Sequence, residues 1–475
     1  MIEGLYLITP QSSDEQILSI TRSALQGGAK IVQYRDKQRS RDAQISLARQ
    51  LVQLCQEKGA TFLINDSPEV AAASFADGVH LGQGDVSVQD ARRIIGPNKL
   101  IGMSTRTVDQ ALKAEMYGAD YIAVGSMFQT GTKDDAELVG PETLRKVRRA
   151  VKLPVVAIGG INAVNGAELI DAGADSLAVI SAVADDRNPA LAAREISLLF
   201  NRRRPRETTR VMTVAGSDCG GGAGIQADLK TIALLGSYGT SAITVLTAQN
   251  TCGVQGLSPA SAGFIVKQME LVLADIGTDT MKTGMLYSEE IVTRVAEQIE
   301  RHQLAAIVDP VMIAKGGSPL LKQDAVEAVR DRLLPATLLL MPNIPEAETL
   351  TGLKINSLED MEAAACSLAE LGARHVLVKG GHRHGDATDI LLTRGQIIRL
   401  TAGRIETKNT HGTGCTYSAA AATLMAQGQP LQVAVKNAKQ FISQAIRNAY
   451  QIGTGHGPVN HFAGAEALAK PAEEN

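Results

Sequence analysis

Short apolar segments recur at regular spacing through residues 1–200, and most are separated by stretches with a helical apolar pattern. In separators such as DEQILSITRSALQGG, apolar residues return every three or four positions. The candidate strands are residues 5–9, 31–35, 61–65, 78–82, 100–104, 121–125, 155–159 and 176–180. This β-then-α alternation predicts a (β/α)8 TIM barrel, with active-site residues after the carboxyl ends of the strands.

The second half of the chain alternates in a similar but less even way. Candidate strands are residues 210–216, 239–250, 280–285, 305–312, 338–343 and 375–381, and DILLTR and IIRLTAGRI are a candidate antiparallel pair. Helical patterns separate most of the earlier strands. We therefore predict an open, largely parallel sheet with helices on both faces, a three-layer α/β/α domain.

The polar segment NRRRPRETTR, residues 201–210, separates the two patterns. We predict domains at 1–200 and 210–462, an exposed linker at 201–209 and a C-terminal tail at 463–475. Nucleic-acid binding by the arginine run is the less favoured alternative, because no neighbouring basic residues extend it.

Composition narrows the function class. The net charge of −3 and the absence of tryptophan favour neither a nucleic-acid nor a membrane partner. The five cysteines are odd in number and form no CxxC pair, so neither a disulfide framework nor a zinc site is expected. The N-terminus lacks a leader pattern, and no apolar run is long enough to span a bilayer. We expect a cytoplasmic location.

Polar side chains follow the second, third and fourth predicted strands. Gln33, Arg35 and Lys37 alternate along an extended segment and so point to one side. Two cations and an amide suit a polyphosphate ligand. Asp66 and Asp85 are candidate ligands for Mg2+, which prefers oxygen ligands together with phosphate.

The other strand ends carry further groups that suit a phosphate. The last two loops of such barrels often bind one, partly through backbone N–H groups. These candidates are Asn65, Ser104, Thr130, Thr132, Lys133, Gly160, Ile180 and Ser181. His80 lies within a strand, and we interpret it as structural.

Residues 1 to about 200 resemble thiamine-phosphate synthase nearly throughout. QYRDK, LINDSPEVAAASFADGVHLGQGD, IGMSTRT, YIAVGSMFQTGTK, VVAIGGIN and LAVISAV follow the pattern of that family in order. The enzyme joins hydroxymethylpyrimidine diphosphate to a thiazole phosphate and expels pyrophosphate. It is thought to ionise the diphosphate to a carbocation, so that no protein nucleophile is needed.

This resemblance implies roles for the candidates above. Asp66 and Asp85 would bind Mg2+. The pyrimidine diphosphate would be held by Gln33, Arg35, Lys37, Asn65, Ser104 and Lys133. The thiazole phosphate would contact Thr130, Thr132, Gly160, Ile180 and Ser181.

Several motifs of the second half also suit phosphate chemistry. Gln249 follows a strand, and its amide suits the edge of a pyrimidine ring. Asn343 and Glu346 have an N-x-x-E spacing that suits Mg2+ and phosphate, and Lys379 ends a strand where it can reach a nucleotide phosphate. HGTGC opens a helix, so the N–H groups of residues 412–415 can form an anion hole.

Residues 211–462 resemble the hydroxymethylpyrimidine/phosphomethylpyrimidine kinase of the ribokinase-like superfamily. The motifs that carry the resemblance are AGSD-GGGAGIQADLKT, TAQNT, KTGM, DPVM, PNIPEAE, VKGGH and GTGC. The pyrimidine pocket would be lined by Gly216, Asp228, Gln249 and Met285. ATP and Mg2+ would lie near Asn343, Glu346 and Lys379, with Gly412, Gly414 and Cys415 at the reacting phosphate.

Cys415 has two interpretations. It is either a small buried apolar residue or part of the phosphoryl-transfer site, and its place behind two glycines at a helix start favours the second. A helix N-terminus should lower the pKa of its thiol. The thiolate could then accept the proton of the substrate hydroxyl, or the side chain could only position that hydroxyl.

The two resemblances imply consecutive reactions in thiamine biosynthesis. The second half would phosphorylate hydroxymethylpyrimidine twice with ATP, and the first would couple the diphosphate to the thiazole phosphate. One half could instead be silent or regulatory, or the kinase could take a pyridoxal-type substrate. By analogy with these families, we also expect the chain to self-associate.

Overall fold

The computed structural model describes residues 2–129, 137–312, 323–381 and 385–469. The chain divides into two compact units between Phe200 and Asn201.

The first unit is a closed barrel of eight parallel strands in sequence order, as predicted. Its strands are β1 Gly4–Ile8, β2 Ile31–Tyr34, β3 Thr61–Asn65, β4 Gly78–Leu81, β5 Leu100–Thr105, β6 Tyr121–Val124, β7 Val155–Ile158 and β8 Ser176–Val179. Its helices are α1 Asp14–Gln26, α2 Arg41–Glu57, α3 Pro68–Ser74, α4 Val88–Ile95, α5 Val108–Met116, α6 Gly140–Ala150, α7 Gly166–Asp171, α8 Ser181–Ala184 and α9 Pro189–Leu198.

Local sequence signals explain where the barrel helices begin. In five of them a hydroxyl side chain caps the first turn by accepting the N–H of the residue three positions later, which satisfies one of the free helix donors. These caps are Ser13, Ser40, Ser67, Ser87 and Thr107. The strands are buried along nearly their whole length, because the helices cover one face and the barrel interior the other.

Aromatic side chains fill part of the barrel interior. Tyr6 and Tyr121 are fully buried there, together with Leu63 and Val156. Gly102 lies opposite Tyr121 in the strand register, and a Cβ on Gly102 would come 2.0 Å from Cζ of the tyrosine ring. The glycine therefore makes room for this ring.

The second unit contains one nine-stranded sheet in the order β11-β10-β9-β12-β13-β14-β15-β16-β17. Its strands are β9 Arg210–Asp218, β10 Tyr238–Asn250, β11 Gly253–Pro259, β12 Thr280–Thr283, β13 Ala306–Val308, β14 Leu339–Leu340, β15 His375–Val378, β16 Asp389–Thr393 and β17 Gln396–Leu400. Its helices are α10 Gly224–Leu234, α11 Ala262–Asp275, α12 Glu289–His302, α13 Gln323–Ala328, α14 Ile344–Thr351, α15 Leu358–Glu370, α16 Thr413–Ala426, α17 Leu431–Arg447 and α18 His461–Ala469.

The six strands from β10 to β15 in this order are parallel to their neighbours, and β11, β16 and β17 pair antiparallel. One face packs in a single apolar cluster with α11 to α15. The other face contacts α10 and α16, and α17 and α18 pack against those helices. The predicted layered α/β fold is confirmed. The exposed edge strand β11 was not predicted, because its sequence GVQGLSP is glycine-rich and lacks an apolar alternation.

The segment between the predicted domains is in contact with the second unit. It contains two short 3-10 helices, Leu199–Arg203 and Arg206–Thr208. Asn201 donates to the carbonyl of Ala426 at 2.9 Å, and Arg204 pairs with Asp279 at 3.0 Å. The predicted C-terminal tail also differs, since residues 463–469 belong to α18 and Gly464 packs on Phe441.

Candidate active sites

Gln33 and Asn65 lie side by side at the carboxyl ends of β2 and β3. The Gln33 amide donates to Oδ1 of Asn65 at 2.6 Å and accepts from the hydroxyl of Tyr6 at 2.9 Å. The side chain of Gln33 is almost fully buried, so these two bonds fix its orientation.

Asp66 and Asp85 form a carboxylate pair beside two predicted cations. Burial, followed by the charge of Asp85 and a hydrogen bond with it, raises the pKa of Asp66, and Lys37 and Arg35 act in the opposite direction. Asp66 has a φ of 66°, a conformation that aspartate tolerates better than most residues. Oδ2 of Asp85 accepts the N–H of Gly82 at 2.7 Å. The structure thus brings together the four charged groups predicted to hold a metal ion and a diphosphate.

Ser104 is hydrogen-bonded to His80, a residue that the sequence predicts to be structural. Nε2 of His80 lies 3.0 Å from the Ser104 hydroxyl, and Nδ1 lies 3.0 Å from the hydroxyl of Tyr121. Tyr121 in turn contacts the hydroxyl of Tyr6 at 3.1 Å. Tyr6, His80 and Tyr121 gave no sequence signal beyond being polar residues within apolar strands.

The predicted thiazole-phosphate groups are described in part. Gly160 has a φ of 65°, and its carbonyl accepts from Asn165 at 2.9 Å. Ile180 immediately precedes α8, and Ser181 is the first residue of that helix. Thr130, Thr132 and Lys133, which were also predicted to bind substrate, lie outside the described residues.

In the second unit, most of the predicted kinase residues line one cavity of about 700 Å3. Gly216, Gln249 and Met285 line it with the glycine-rich loop. The same cavity is lined by Asn343, Glu346, Lys379, Gly412, Gly414 and Cys415. The residues predicted to bind the pyrimidine and those predicted to bind phosphate, apart from Asp228, therefore line one cavity.

Two glycine loops meet backbone to backbone at this cavity. A Cβ on Gly412 would lie 1.8 Å from the carbonyl oxygen of Gly222, and one on Gly222 would lie 2.4 Å from Cδ2 of His411. Gly412 has a φ of 78° and precedes α16, as predicted for an anion hole. Larger residues at either glycine would force the loops apart.

Asp218 and His411 link these loops. One oxygen of Asp218 accepts the N–H of Gly220 at 2.8 Å, and the other accepts those of Gly222 at 3.0 Å and Ala223 at 2.8 Å. Nε2 of His411 lies 2.9 Å from the same carboxylate. Burial acts to raise the pKa of Asp218, but the hydrogen bond from His411 and those of the loop bring it to about 2. This cross-link was not predicted, since the two residues are far apart in sequence.

Lys379 pairs with Asp309 at 2.6 Å, directly behind the anion hole. A Cβ on Gly414 would lie 3.1 Å from Oδ2 of Asp309 and 3.4 Å from Nζ of Lys379, so the glycine lets the helix start approach this pair. Burial raises the pKa of Glu346 to about 7, opposed by Lys379 and aided by Asp309. These three ionic groups therefore form one electrostatic cluster.

Asn343 and Glu346 have a structural role that the N-x-x-E spacing also encodes. Asn343 accepts the N–H of Glu346 at 2.9 Å, and Glu346 accepts the N–H of Asn343 at 2.8 Å. This reciprocal pair is a capping box at the start of α14. Both side chains still line the cavity.

The expected lowering of the Cys415 pKa is wrong. Burial raises the pKa of this thiol to about 11, because the lowering effect of Lys282 and of the Gly224 N–H is smaller, and Asp228 and Asp309 add to the rise. The helix start alone does not outweigh desolvation next to two carboxylates. Cys415 is therefore a neutral thiol at neutral pH.

Asp228 does not line the cavity. It is fully buried, and its carboxylate accepts hydrogen bonds from Nζ of Lys282 at 2.8 Å and from the hydroxyl of Thr213 at 2.6 Å. Lys282 is itself fully buried on β12, whose neighbouring residue Met281 faces the opposite apolar cluster. The pair thus lies on the sheet close to Cys415, outside the residues that line the cavity.

A second buried cation was missed at the far end of the cavity. Nζ of Lys439 lies 2.7 Å from Oδ2 of Asp389 and 2.9 Å from the carbonyl of Ala387. The Tyr417 hydroxyl donates to the same carboxylate at 3.1 Å, and all four residues line the cavity. No sequence motif marks these residues, because Lys439 lies within a helix and Ala387 and Asp389 lie at the start of a strand.

Two family models match this chain on either side of the boundary. The model of thiamine monophosphate synthase matches residues 5–183, and that of phosphomethylpyrimidine kinase matches residues 218–460. The chain is 50% identical over 468 residues to the thiamine biosynthesis bifunctional protein ThiED of Geobacter sulfurreducens, with 98% of this chain and 95% of the relative covered. The chain belongs to the ThiED family of bifunctional thiamine biosynthesis proteins.

Kinases that match about half of this ThiED family member are also found. The hydroxymethylpyrimidine/phosphomethylpyrimidine kinase of Bacillus subtilis is 46% identical over 257 residues, which covers 54% of this chain and 95% of the relative. The ADP complex of Bacillus subtilis pyridoxal kinase is 37% identical, with a TM-score of 0.51 over 54% of this chain and 98% of that one. Among the residues that the structure describes, no helix has the length and apolar character needed to cross a membrane.

The raised pKa of Cys415 predicts low reactivity. At pH 8, iodoacetamide should alkylate the exposed Cys252 well before the half-buried Cys415, although both line the cavity, because Cys415 is less accessible and its raised pKa leaves little of the reactive thiolate. Peptide mass spectrometry over a time course measures both sites in one sample. Alkylation of Cys415 as fast as that of Cys252 would show that its thiol is ionised.

Proposed function

We propose that the two cavities carry the two consecutive activities of the ThiED family through the residues described above. The kinase half phosphorylates 4-amino-5-hydroxymethyl-2-methylpyrimidine and then its monophosphate, with ATP as the co-substrate. The barrel condenses the resulting diphosphate with the thiazole phosphate to give thiamine phosphate and pyrophosphate. The match of the whole chain to one bifunctional relative carries this conclusion.

In the kinase half, the cavity suits a transfer that depends on charge stabilisation. The substrate hydroxyl, or a phosphate oxygen of the monophosphate in the second round, attacks the γ-phosphorus while the bond to the bridging β–γ oxygen breaks and ADP leaves. The hydroxyl proton passes to a phosphate oxygen and then to solvent, and charge builds up on the phosphate oxygens during the transfer. The N–H groups of Gly412 to Cys415 at the start of α16 and the ammonium of Lys379 would stabilise that charge. The neutral thiol of Cys415 would position the hydroxyl and would not act as its base.

In the barrel, Arg35 and Lys37 would stabilise the leaving pyrophosphate. The described residues of the site offer amides, hydroxyls and cations, which suits ionisation of the diphosphate without a protein nucleophile.

Mg2+ fits the Asp66–Asp85 pair. Within the described parts of the chain, no three histidine, cysteine or acidic side chains form a metal cluster. Mg2+ is commonly held by one or two carboxylates plus substrate phosphates, so two carboxylates beside a diphosphate site are a suitable set. Burial and, after it, repulsion from Asp85 raise the pKa of Asp66; a bound cation would offset both effects and would neutralise charge on the pyrophosphate. Self-association of the chain stays a prediction.

The Lys379→Met variant separates the two activities. Phosphorylation of hydroxymethylpyrimidine should fall at least about 100-fold, because the positive charge at the phosphate site is lost. Formation of thiamine phosphate from supplied pyrimidine diphosphate should be unchanged, and thermal unfolding followed by circular dichroism checks that the kinase unit itself is still folded. Lys354→Met removes a largely exposed lysine and is the matched control. Equal kinase rates in the two variants would contradict the role of Lys379.

The Cys415→Ala variant tests the positioning role. We expect kinase kcat to fall by no more than about tenfold, since loss of a general base typically costs 10²–10⁴-fold. Steady-state kinetics with both pyrimidine substrates measures the effect, and thermal unfolding followed by circular dichroism is the folding control for the kinase unit. A loss of about 1000-fold would instead assign Cys415 as the base.

A further inference from the structure

Strand β2 presents its side chains alternately to the two sides of the barrel wall. Ile31 belongs to the apolar cluster of the barrel interior, and Gln33 bonds Tyr6, which belongs to the same cluster. Val32 and Tyr34 belong instead to the cluster between the strands and the helices. This is the alternation expected of an extended strand.

The loop after β2 continues this alternation. Arg35 and Lys37 both act on the charge of Asp66 at the mouth of the barrel. Asp36 lies between them in the sequence, but its Oδ2 accepts the hydroxyl of Tyr34 at 3.2 Å, on the outer side of the wall. Three consecutive residues therefore carry two cations for the diphosphate and, between them, a carboxylate that turns away from it.

Asp36 is the centre of the hydrogen bonds that close this loop, and its side chain is only 1% exposed. Oδ1 accepts the N–H groups of Gln38 at 2.8 Å and Arg39 at 3.0 Å, and the amide of Gln11 at 3.2 Å. Oδ2 accepts from the guanidinium of Arg39 as well as from Tyr34. Donors from the loop itself, from β2 and from the loop after β1 thus hold one buried carboxylate.

Arg39 ties the loop after β2 to the loop after β1. Its guanidinium donates to the carbonyl of Ser12 at 2.7 Å and to Oδ1 of Asp14 at 2.6 and 3.0 Å. Asp14 is the first residue of α1. The loop that carries the two cations is therefore anchored to a helix of the barrel wall through Asp36 and Arg39.

The charge of Asp36 is matched by Arg39 and not by the two cations of the site. Burial acts to raise the pKa of Asp36, but the loop N–H groups, Gln11 and Arg39 hold it well below its usual range, so the carboxylate is ionised at neutral pH. Within the described parts of the chain, Arg35 and Lys37 form no ion pair. Their charges are thus left for an anionic ligand.

A carboxylate–arginine pair of the same kind lies at the opposite end of the barrel. Asp120 immediately precedes β6, accepts the N–H of Ile101 at 2.7 Å and pairs with Arg92 at 2.7 Å. In TIM barrels, residues at the amino ends of the strands serve stability, whereas those at the carboxyl ends serve the active site. Asp120 is therefore a matched control for Asp36.

We propose that Asp36 is a positioning residue of the barrel reaction: together with Arg39, it holds the loop after β2 so that Arg35 and Lys37 converge on the leaving pyrophosphate. Asp36 does not touch the substrate and acts through the backbone of the loop. A displacement of about 1 Å in a group that binds the reacting atoms can cost about 100-fold in rate. The inference rests on the proposed function of the barrel.

The Asp36→Asn variant tests this role. An amide has one acceptor oxygen in place of two, so the loop loses bonds to Tyr34 and Arg39. We expect KM for the pyrimidine diphosphate and the inhibition constant of pyrophosphate to rise about tenfold, with a lower kcat and an unchanged KM for the thiazole phosphate. The full-length chain is assayed with supplied diphosphate and Mg2+ and without ATP. Partial unfolding alone would lower kcat and leave both KM values unchanged.

Two further variants complete the experiment. Asp120→Asn should lower the midpoint of thermal unfolding, followed by circular dichroism, and leave KM for the diphosphate and the inhibition by pyrophosphate unchanged. Arg39→Gln keeps the carboxylate and its two backbone bonds, so the turn stays closed. It should raise the same two constants by at least about threefold, and it decides the question alone if Asp36→Asn does not fold.

Unchanged constants in Arg39→Gln, and in Asp36→Asn if that variant folds, would overturn the proposal. Equal increases in Asp120→Asn would also overturn it, because the effect would then be one of general stability. Failure of the unaltered protein to make thiamine phosphate would instead refute the proposed function of the barrel, and the inference with it.

Discussion

A parallel sheet that is covered on both faces has little room for unpaired polar and charged side chains, so most of them lie in the loops that follow the carboxyl ends of its strands. This constraint acts in both units of the chain. In the barrel, Gln33, Asn65 and Ser104 lie at or next to the ends of β2, β3 and β5. In the second unit, Asp309 and Lys379 each follow the end of a parallel strand and pair at 2.6 Å. The parallel strand arrangement alone thereby brings residues that are far apart in sequence to one edge of the sheet.

Ionic groups that extend into the protein are compensated locally. Lys282 and Asp228 are fully buried and paired, and Lys439 is paired with Asp389. Removing one partner of such a pair leaves an uncompensated charge, which typically costs about 3–5 kcal/mol. Burial, together with the carboxylates of Asp228 and Asp309, raises the pKa of Cys415 and keeps it a neutral thiol. The electrostatics of the kinase cavity is thus set by groups behind its wall as much as by those that line it.

The sequence was sufficient for the fold because its signals are local. Eight apolar segments in the first half predict the eight barrel strands, and among the described residues of the second half only the glycine-rich edge strand β11 was missed. Motifs placed the strand-end residues and the two glycine loops. What could not be predicted depends on contacts across the fold. The Asp218–His411 bond spans 193 residues, the burial of Asp228 depends on Lys282, and the Tyr121–His80 contact depends on strand register.

The central claim is that one chain carries out both steps. Incubation of the full-length protein with unphosphorylated hydroxymethylpyrimidine, thiazole phosphate, ATP and Mg2+ tests it directly, with chromatographic detection of every pyrimidine species. We expect thiamine phosphate and pyrophosphate to accumulate. Absence of pyrimidine phosphates, or accumulation of the diphosphate without thiamine phosphate, would contradict it.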